Sequence, residues 1–111
     1  MHVIRKRAFE GAAKKFSNDK TAIMDAYRVL NSGTFNTPEE LKQIFPSLDN
    51  FKYKDKWYVI DIGGNNLRIM AMVLFTNQKF YVKHIVTHTE YDKLCSNIER
   101  RNNEYGDSNK T

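Results

Sequence analysis

Arg68, His88 and Tyr91 are the residues whose types and spacing best support chemistry. They sit in two short stretches, Gly63-Gly64-Asn65-Asn66-Leu67-Arg68 and Thr87-His88-Thr89-Glu90-Tyr91-Asp92. A guanidinium stays charged and offers a planar fork that matches phosphate geometry. Imidazoles exchange protons near neutrality. A phenol stacks on a base or donates a proton, but with an ordinary pKa near ~10 it is a poor base at pH 7. Cutting RNA through its own 2′-hydroxyl needs a base for that hydroxyl, positive charge at the developing phosphorane and an acid for the departing 5′-oxygen. Well-placed acid and base groups contribute about 10²- to 10⁴-fold each, and charge stabilisation contributes as much or more. Each residue also has a plainer role. Arg68 forms a cross-strand ion pair with Asp61, which is compatible with phosphate binding. His88 serves equally as a helix-start residue, and Tyr91 as packing where sheet meets helix.

The elements that must bring these groups together are legible in the pattern. Trp57 to Ile62, Leu67 to Phe75 and Phe80 to Val86 read as an antiparallel meander, with turns at 63–66 and 76–79. Pairing Ile62 with Leu67 sets Asp61 opposite Arg68. Pairing Phe75 with Phe80 sets Met72 opposite Lys83 and Arg68 opposite Thr87. With a side-chain period of two, this register puts Ile60, Ile62, Leu67, Ile69, Val73, Phe80, Val82 and His84 on an apolar face. Trp57, Val59, Asp61, Arg68, Met70, Met72, Tyr81, Lys83 and Ile85 fall on the other, a mixture suited to a surface that something else covers. A final helix begins at Thr87 or Thr89. In the Thr87 frame Glu90 completes a capping box, and His88 and Tyr91 share one side of the first turn.

The N-terminal half is helical. His2-Val3-Ile4 reads as a short strand. Ala8, Phe9, Ala12, Ala13 and Phe16 form one helix face; Ala22, Ile23, Ala26, Tyr27 and Leu30 form another, capped by Asn18 or Asp19. Thr37-Pro38-Glu39-Glu40 starts a third, with Glu40 reaching back to the cap amide. The expected class is α+β: N-terminal helices on one face of a small antiparallel sheet, with a short C-terminal helix. One domain spans residues 1–101, and a polar tail spans 102–111.

The chain has 111 residues, 18 Lys and Arg against 13 Asp and Glu, and a net charge of +5. Its sequence pI is about 9.4. That balance favours an anionic partner: RNA, DNA or an acidic protein surface. The single cysteine, Cys95, excludes an internal disulfide, and no Cys/His spacing marks a metal site. No apolar run resembles a signal peptide or a membrane span, which places the chain in the cytoplasm. Neither metal nor cofactor is expected. The Gly63-Gly64 pair lacks the phosphate-loop pattern and reads as hairpin backbone. Without a helix-turn-helix or a finger, direct DNA reading is not expected. Lys83 shares the face of Arg68 and binds phosphate or is simply solvated. Lys54 and Lys56, just outside the strand, more often solubilise than catalyse. His84 reads as a core or boundary histidine.

The two motifs, with Phe45-Pro46-Ser47-Leu48-Asp49-Asn50-Phe51-Lys52-Tyr53 before them, resemble the HigB family of toxins in the RelE-like superfamily. The similarity runs from Met1 through Asp92. It implies a metal-independent, ribosome-dependent endoribonuclease whose sheet cradles mRNA at the ribosomal A site. It also implies a HigA-type helix-turn-helix antitoxin, with operator DNA bound only through the toxin–antitoxin complex, in a bacterial cytoplasm. Carried over by position, Arg68, His88 and Tyr91 are the catalytic candidates; Lys83, Lys54, Lys56 and Asn65 are the RNA-binding ones. Asp61 stands where many relatives have asparagine. The competing expectation is a non-catalytic RNA- or ribosome-binding module that blocks translation by occupancy. A third is a pure protein-interaction domain.

Overall fold

The computed structural model describes residues 1–98, so the end of the expected domain at 101 and the tail at 102–111 lie outside the described residues. In chain order the elements are β1 (His2–Ile4), α1 (Lys6–Lys15), a 3-10 turn (Ser17–Asp19), α2 (Lys20–Ser32), α3 (Pro38–Ile44), β2 (Asp49–Asn50), β3 (Trp57–Ile62), β4 (Leu67–Leu74) and β5 (Lys79–Thr87). A final helix, α4, covers 88–98. The strands form one sheet in the order β1-β5-β4-β3-β2. β2 to β5 run antiparallel to their neighbours, but β1 lies parallel to β5, so the sheet is mixed rather than antiparallel throughout.

The α+β expectation is met. α1 and α2 bury Phe9, Ala12, Ala13, Ile23, Ala26 and Leu30, residues three or four apart on one helical face. They pack on Ile60, Ile62, Leu67, Ile69, Ala71, Val73, Phe80 and Val82 from one side of the sheet. Asp19 stands at the cap position of α2 without a side-chain cap bond. Its carboxylate instead meets the β3–β4 turn, where Asn66 Nδ2 donates to Oδ1 at 3.5 Å. At α3, the Glu40 amide donates to Thr37 Oγ1 at 3.2 Å and Pro38 takes the first turn. The Glu40 carboxylate lies 3.4 Å from the Thr37 hydroxyl rather than on the cap amide.

The first hairpin has the expected register, with Ile62 opposite Leu67 and Asp61 opposite Arg68. The second departs from it. Leu74 pairs with Lys79, Met72 with Tyr81 and Ala71 with Val82; the register then shifts so that Met70 faces His84 and Arg68 faces Val86. Lys83 is the extra residue, a β-bulge that has no partner across the ladder. The bulge reverses the alternation beyond it. Ile85 packs on the helix-side core, while His84 lies opposite Met70 on the other face. His84 is therefore an exposed residue of the open face, not a core residue.

That second face carries a smaller apolar cluster of Phe51, Val59 and Met70, on which Tyr53, Trp57, Tyr91, Leu94, Cys95 and Ile98 pack. The chain's own α4 and the loop after β2 thus cover part of it. No helix among the described residues is long and apolar enough to cross a membrane.

Candidate active site

Asp61 is the hub of the site. Arg68 Nε donates to its Oδ1 at 2.8 Å across the β3–β4 ladder. The same oxygen lies 3.9 Å from His88 Nε2, which is enclosed and has no hydrogen-bond partner. Ser47 fixes the strand from the other side: the Asp61 amide donates to Ser47 Oγ at 2.8 Å, and the Ser47 hydroxyl donates back to the Asp61 carbonyl at 3.3 Å. An imidazole nitrogen buried without a partner beside a carboxylate is one short movement from a charge-assisted hydrogen bond.

The start of α4 positions the other two groups. The Glu90 amide donates to Thr87 Oγ1 at 3.2 Å, and the Thr87 amide donates to Glu90 Oε1 at 3.0 Å, a reciprocal capping box. Lys15 Nζ, from the last turn of α1, reaches Glu90 Oε2 at 3.5 Å. The Thr87 amide bond foremost, then the Thr87 hydroxyl and Lys15, hold the Glu90 carboxyl below its ordinary range against partial burial. This cap fixes His88 over Asp61 and lays the Tyr91 ring on Arg68, whose Cζ is 4.5 Å from the ring centroid. The edge of Tyr91 meets Phe51 at 6.2 Å. Burial, aided by the Cys95 side chain and opposed by Arg68, pushes the Tyr91 phenol up to about 12. Tyr91 thus keeps its proton at neutral pH.

Arg68, Tyr91 and Asp61 open on a cleft of about 630 Å³, walled also by Ser47, Asp49, Asn50, Lys52, Tyr53, Val59 and Cys95. Ser47, Asp49, Asn50 and Lys52 are cleft residues that neither residue type nor spacing singles out. A signal was present in the density of lysines and aromatic residues from 51 to 57. What the pattern did not give was the two-residue β2, which pairs Asp49 and Asn50 with Val59 and Tyr58 and pins this segment beside the cleft.

The structure brings Arg68 and His88 together through Asp61, and Tyr91 joins them through its ring on Arg68. It places the RNA-binding candidates elsewhere. Lys54 Nζ lies 4.6 Å and Lys83 Nζ 5.8 Å from the ring centroid of Trp57, at the far end of the open face. Lys56 has a left-handed backbone, φ 63°, and its carbonyl accepts from the Val73 amide at 2.9 Å. Asn65 occupies the β3–β4 turn with φ 72°, at the same sheet end as Arg68. Among the described residues no three His, Cys, Asp or Glu side chains converge so as to hold a metal ion.

Comparison with known proteins is consistent with this geometry. The family model HigB_toxin, the RelE-like toxic component of a toxin-antitoxin system, matches residues 19–94. The "mRNA interferase HigB" of Escherichia coli O6:H1 is 55% identical over 94 residues, which cover 85% of this chain and 91% of that protein. The "mRNA interferase toxin HigB" of Escherichia coli (strain K12) is 49% identical over 92 residues, 83% of this chain and 88% of that protein.

Proposed function

The chain belongs to the HigB family of RelE-like toxins and is an mRNA interferase of a toxin–antitoxin system, and from that premise we propose how its residues cut RNA. The observation that supports the assignment is the sharing of one Asp61 oxygen between Arg68 and His88, with Tyr91 stacked on the guanidinium beside an open cleft. Arg68 commits Nε to Asp61 and turns the rest of its fork to the scissile phosphate, where it stabilises the phosphorane. His88 transfers the proton. Asp61 orients its imidazole and stabilises the imidazolium as the ring takes up charge; the 3.9 Å separation closes to a hydrogen bond once RNA is seated. Tyr91 retains its hydroxyl proton and holds Arg68 by its ring. The 2′-hydroxyl gives its proton to the His88 imidazole as its oxygen attacks phosphorus, the bond to the 5′-oxygen breaks, and that oxygen takes a proton from solvent, leaving a cyclic phosphate and a free 5′-hydroxyl; the imidazolium then returns its proton to solvent. The chemistry needs no metal.

As the toxic component of its system, the protein has an antitoxin partner. The finer proposal is that this is a HigA-type helix-turn-helix protein, that operator DNA is met only through the complex, and that cutting takes place on translated mRNA in the ribosomal A site, in the bacterial cytoplasm. The basic net charge and the open basic face support an RNA partner of this kind. Mapping mRNA 5′ ends after induction is the test. New, codon-phased ends that vanish with His88→Ala are expected; stalled but intact transcripts would replace cleavage by occupancy.

A further inference from the structure

The outward face of α1 breaks several rules of helix stability at once, and no contact among the described residues accounts for it. Gly11 stands near its centre, exposed, where an added Cβ would meet no heavy atom within 4 Å. Its backbone is ordinary helix, so neither a turn nor a positive φ asks for glycine. Alanine there would give a firmer helix, because glycine loses the most backbone freedom on folding.

The charges point the same way. α1 carries Lys6, Arg7, Lys14 and Lys15 against Glu10 alone, a net +3 in a chain whose total is +5. Its first turn holds two of these cations and no carboxylate, although that end of a helix is the positive end of its dipole. Arg5, at the cap position, has a left-handed backbone with φ 78° and makes no side-chain cap bond. Lys15 is engaged by Glu90, and Lys6 by the ring of Tyr27. Arg7 and Lys14 are exposed, and among the described residues neither has a carboxylate within ion-pair reach. A lone solvated cation needs no explanation. A helix that forgoes stability along one ridge does, since conflicts between local preference and fold gather at functional surfaces.

The ridge also has a shape. Arg7, Gly11 and Lys14 are four and three residues apart, so they share one side of the helix with the bare position between the cations. They lie away from the buried Phe9, Ala12 and Ala13, and so on the side of the sheet opposite the Arg68 cleft. A second helix crossing at Gly11 can come close, because interaxial distance is set by the side chains at the contact. The two cations then flank the crossing, about 10.5 Å apart along the axis.

We propose that the ridge of Arg7, Gly11 and Lys14 is the docking line for an acidic helix of the antitoxin. Carboxylates of that helix meet Arg7 and Lys14, and its close approach is made at Gly11. The inference rests on the reading of the chain as the toxic component of its system, and adds where and by what chemistry the partner binds. A ribosomal RNA backbone would use the cations but has no use for a bare helix between them.

The test sets stability against binding, with purified full-length variants titrated with the purified antitoxin by calorimetry. Gly11→Ala should melt about 4 °C above wild type and yet bind the antitoxin more weakly. Gly11→Gln, larger and still a good helix former, should also melt higher, and should bind at least about tenfold more weakly because the facing helix has no room for it. Arg7→Gln with Lys14→Gln should weaken binding at least about tenfold and reduce its salt dependence. All three should cut reporter mRNA on programmed ribosomes at the wild-type rate and resist inhibition by the antitoxin. Wild-type affinity in Gly11→Gln, or in the folded double variant, overturns the proposal. So does a lower melting temperature for Gly11→Ala, which would give the glycine a role inside the chain. Weaker ribosome pelleting and slower cutting with unchanged antitoxin affinity would assign the ridge to ribosomal RNA instead. A wild-type chain that cuts mRNA but binds antitoxin no better than the variants sinks the docking line alone; ridge-dependent binding by a chain that never cuts RNA sinks the enzyme reading alone.

Discussion

Replacing Asp61 by Asn removes one charge and almost no volume, and it separates the two roles given to that side chain. The Arg68–Asp61 contact is 2.8 Å between side chains that are 27% and 22% exposed. Two unit charges about 4 Å apart interact by about 4 kcal/mol at an effective dielectric constant near 20. Solvent screening at this exposure reduces the net loss to about 1–2 kcal/mol, since Asn still offers an oxygen to Arg68 Nε. A domain of this size should then melt at least about 4 °C lower. Cleavage should fall further than folding does, because the imidazolium of His88 loses its counter-charge in the transition state. A fall of about 10- to 100-fold is expected, or ~1.4–2.8 kcal/mol. The assay is single-turnover cutting of a reporter mRNA on programmed ribosomes, at a temperature where thermal melts show the variant folded. Asp61→Asn added to Arg68→Ala should still slow cutting, since His88 loses its counter-charge in either background, but by less than in wild type because the part of the loss that passes through Arg68 is already gone. Wild-type cleavage by a destabilised Asp61→Asn would make Asp61 purely structural and refute the reasoning.

Tyr91→Phe keeps the ring 4.5 Å from Arg68 and should cut within about tenfold of wild type. Tyr91→Ala should lose far more activity and melt lower, as a cavity opens beside Phe51, Val59 and Met70; equal losses in the two variants would shift the role from ring to hydroxyl. The Glu90 carboxyl is held below its ordinary value of 4.5, so its contribution to stability is complete above that pH and disappears as pH falls through the lower folded value. Acid melts of wild type should therefore drop more steeply than those of Glu90→Gln, and parallel curves would contradict the capping assignment. Gly63→Ala should destabilise by more than about 1 kcal/mol in chemical denaturation, because φ is +63° and a Cβ would lie 2.6 Å from Asp19 Oδ1.

How much of this could be read in the chain follows from the range of the forces involved. The first hairpin was legible because its turn and its apolar alternation agree, and that alone set Asp61 against Arg68. The Thr87–Glu90 box is likewise local, and it placed His88 and Tyr91 on one side of a helix start. The second hairpin was misread because its turn is fixed from a distance. Phe75 leaves the strand to meet Tyr58 edge-on at 5.6 Å, and Gln78, with φ 54°, bonds through its side chain to the backbone of Phe35. The bulge did leave a trace. Val82 and Ile85 are three apart, a spacing no regular strand can bring to one face, yet strict alternation put His84 in the core. The folding of α4 onto Val59 and Met70 was invisible, since nothing local says which surface an amphipathic helix will cover.

The most direct measurement is the single-turnover cleavage rate of Arg68→Ala against wild type on the same programmed ribosomes, with both proteins shown to be folded by their melts. A loss of at least about 10²-fold is expected if the guanidinium stabilises the phosphorane. A folded Arg68→Ala protein that cuts as fast as wild type would contradict the account.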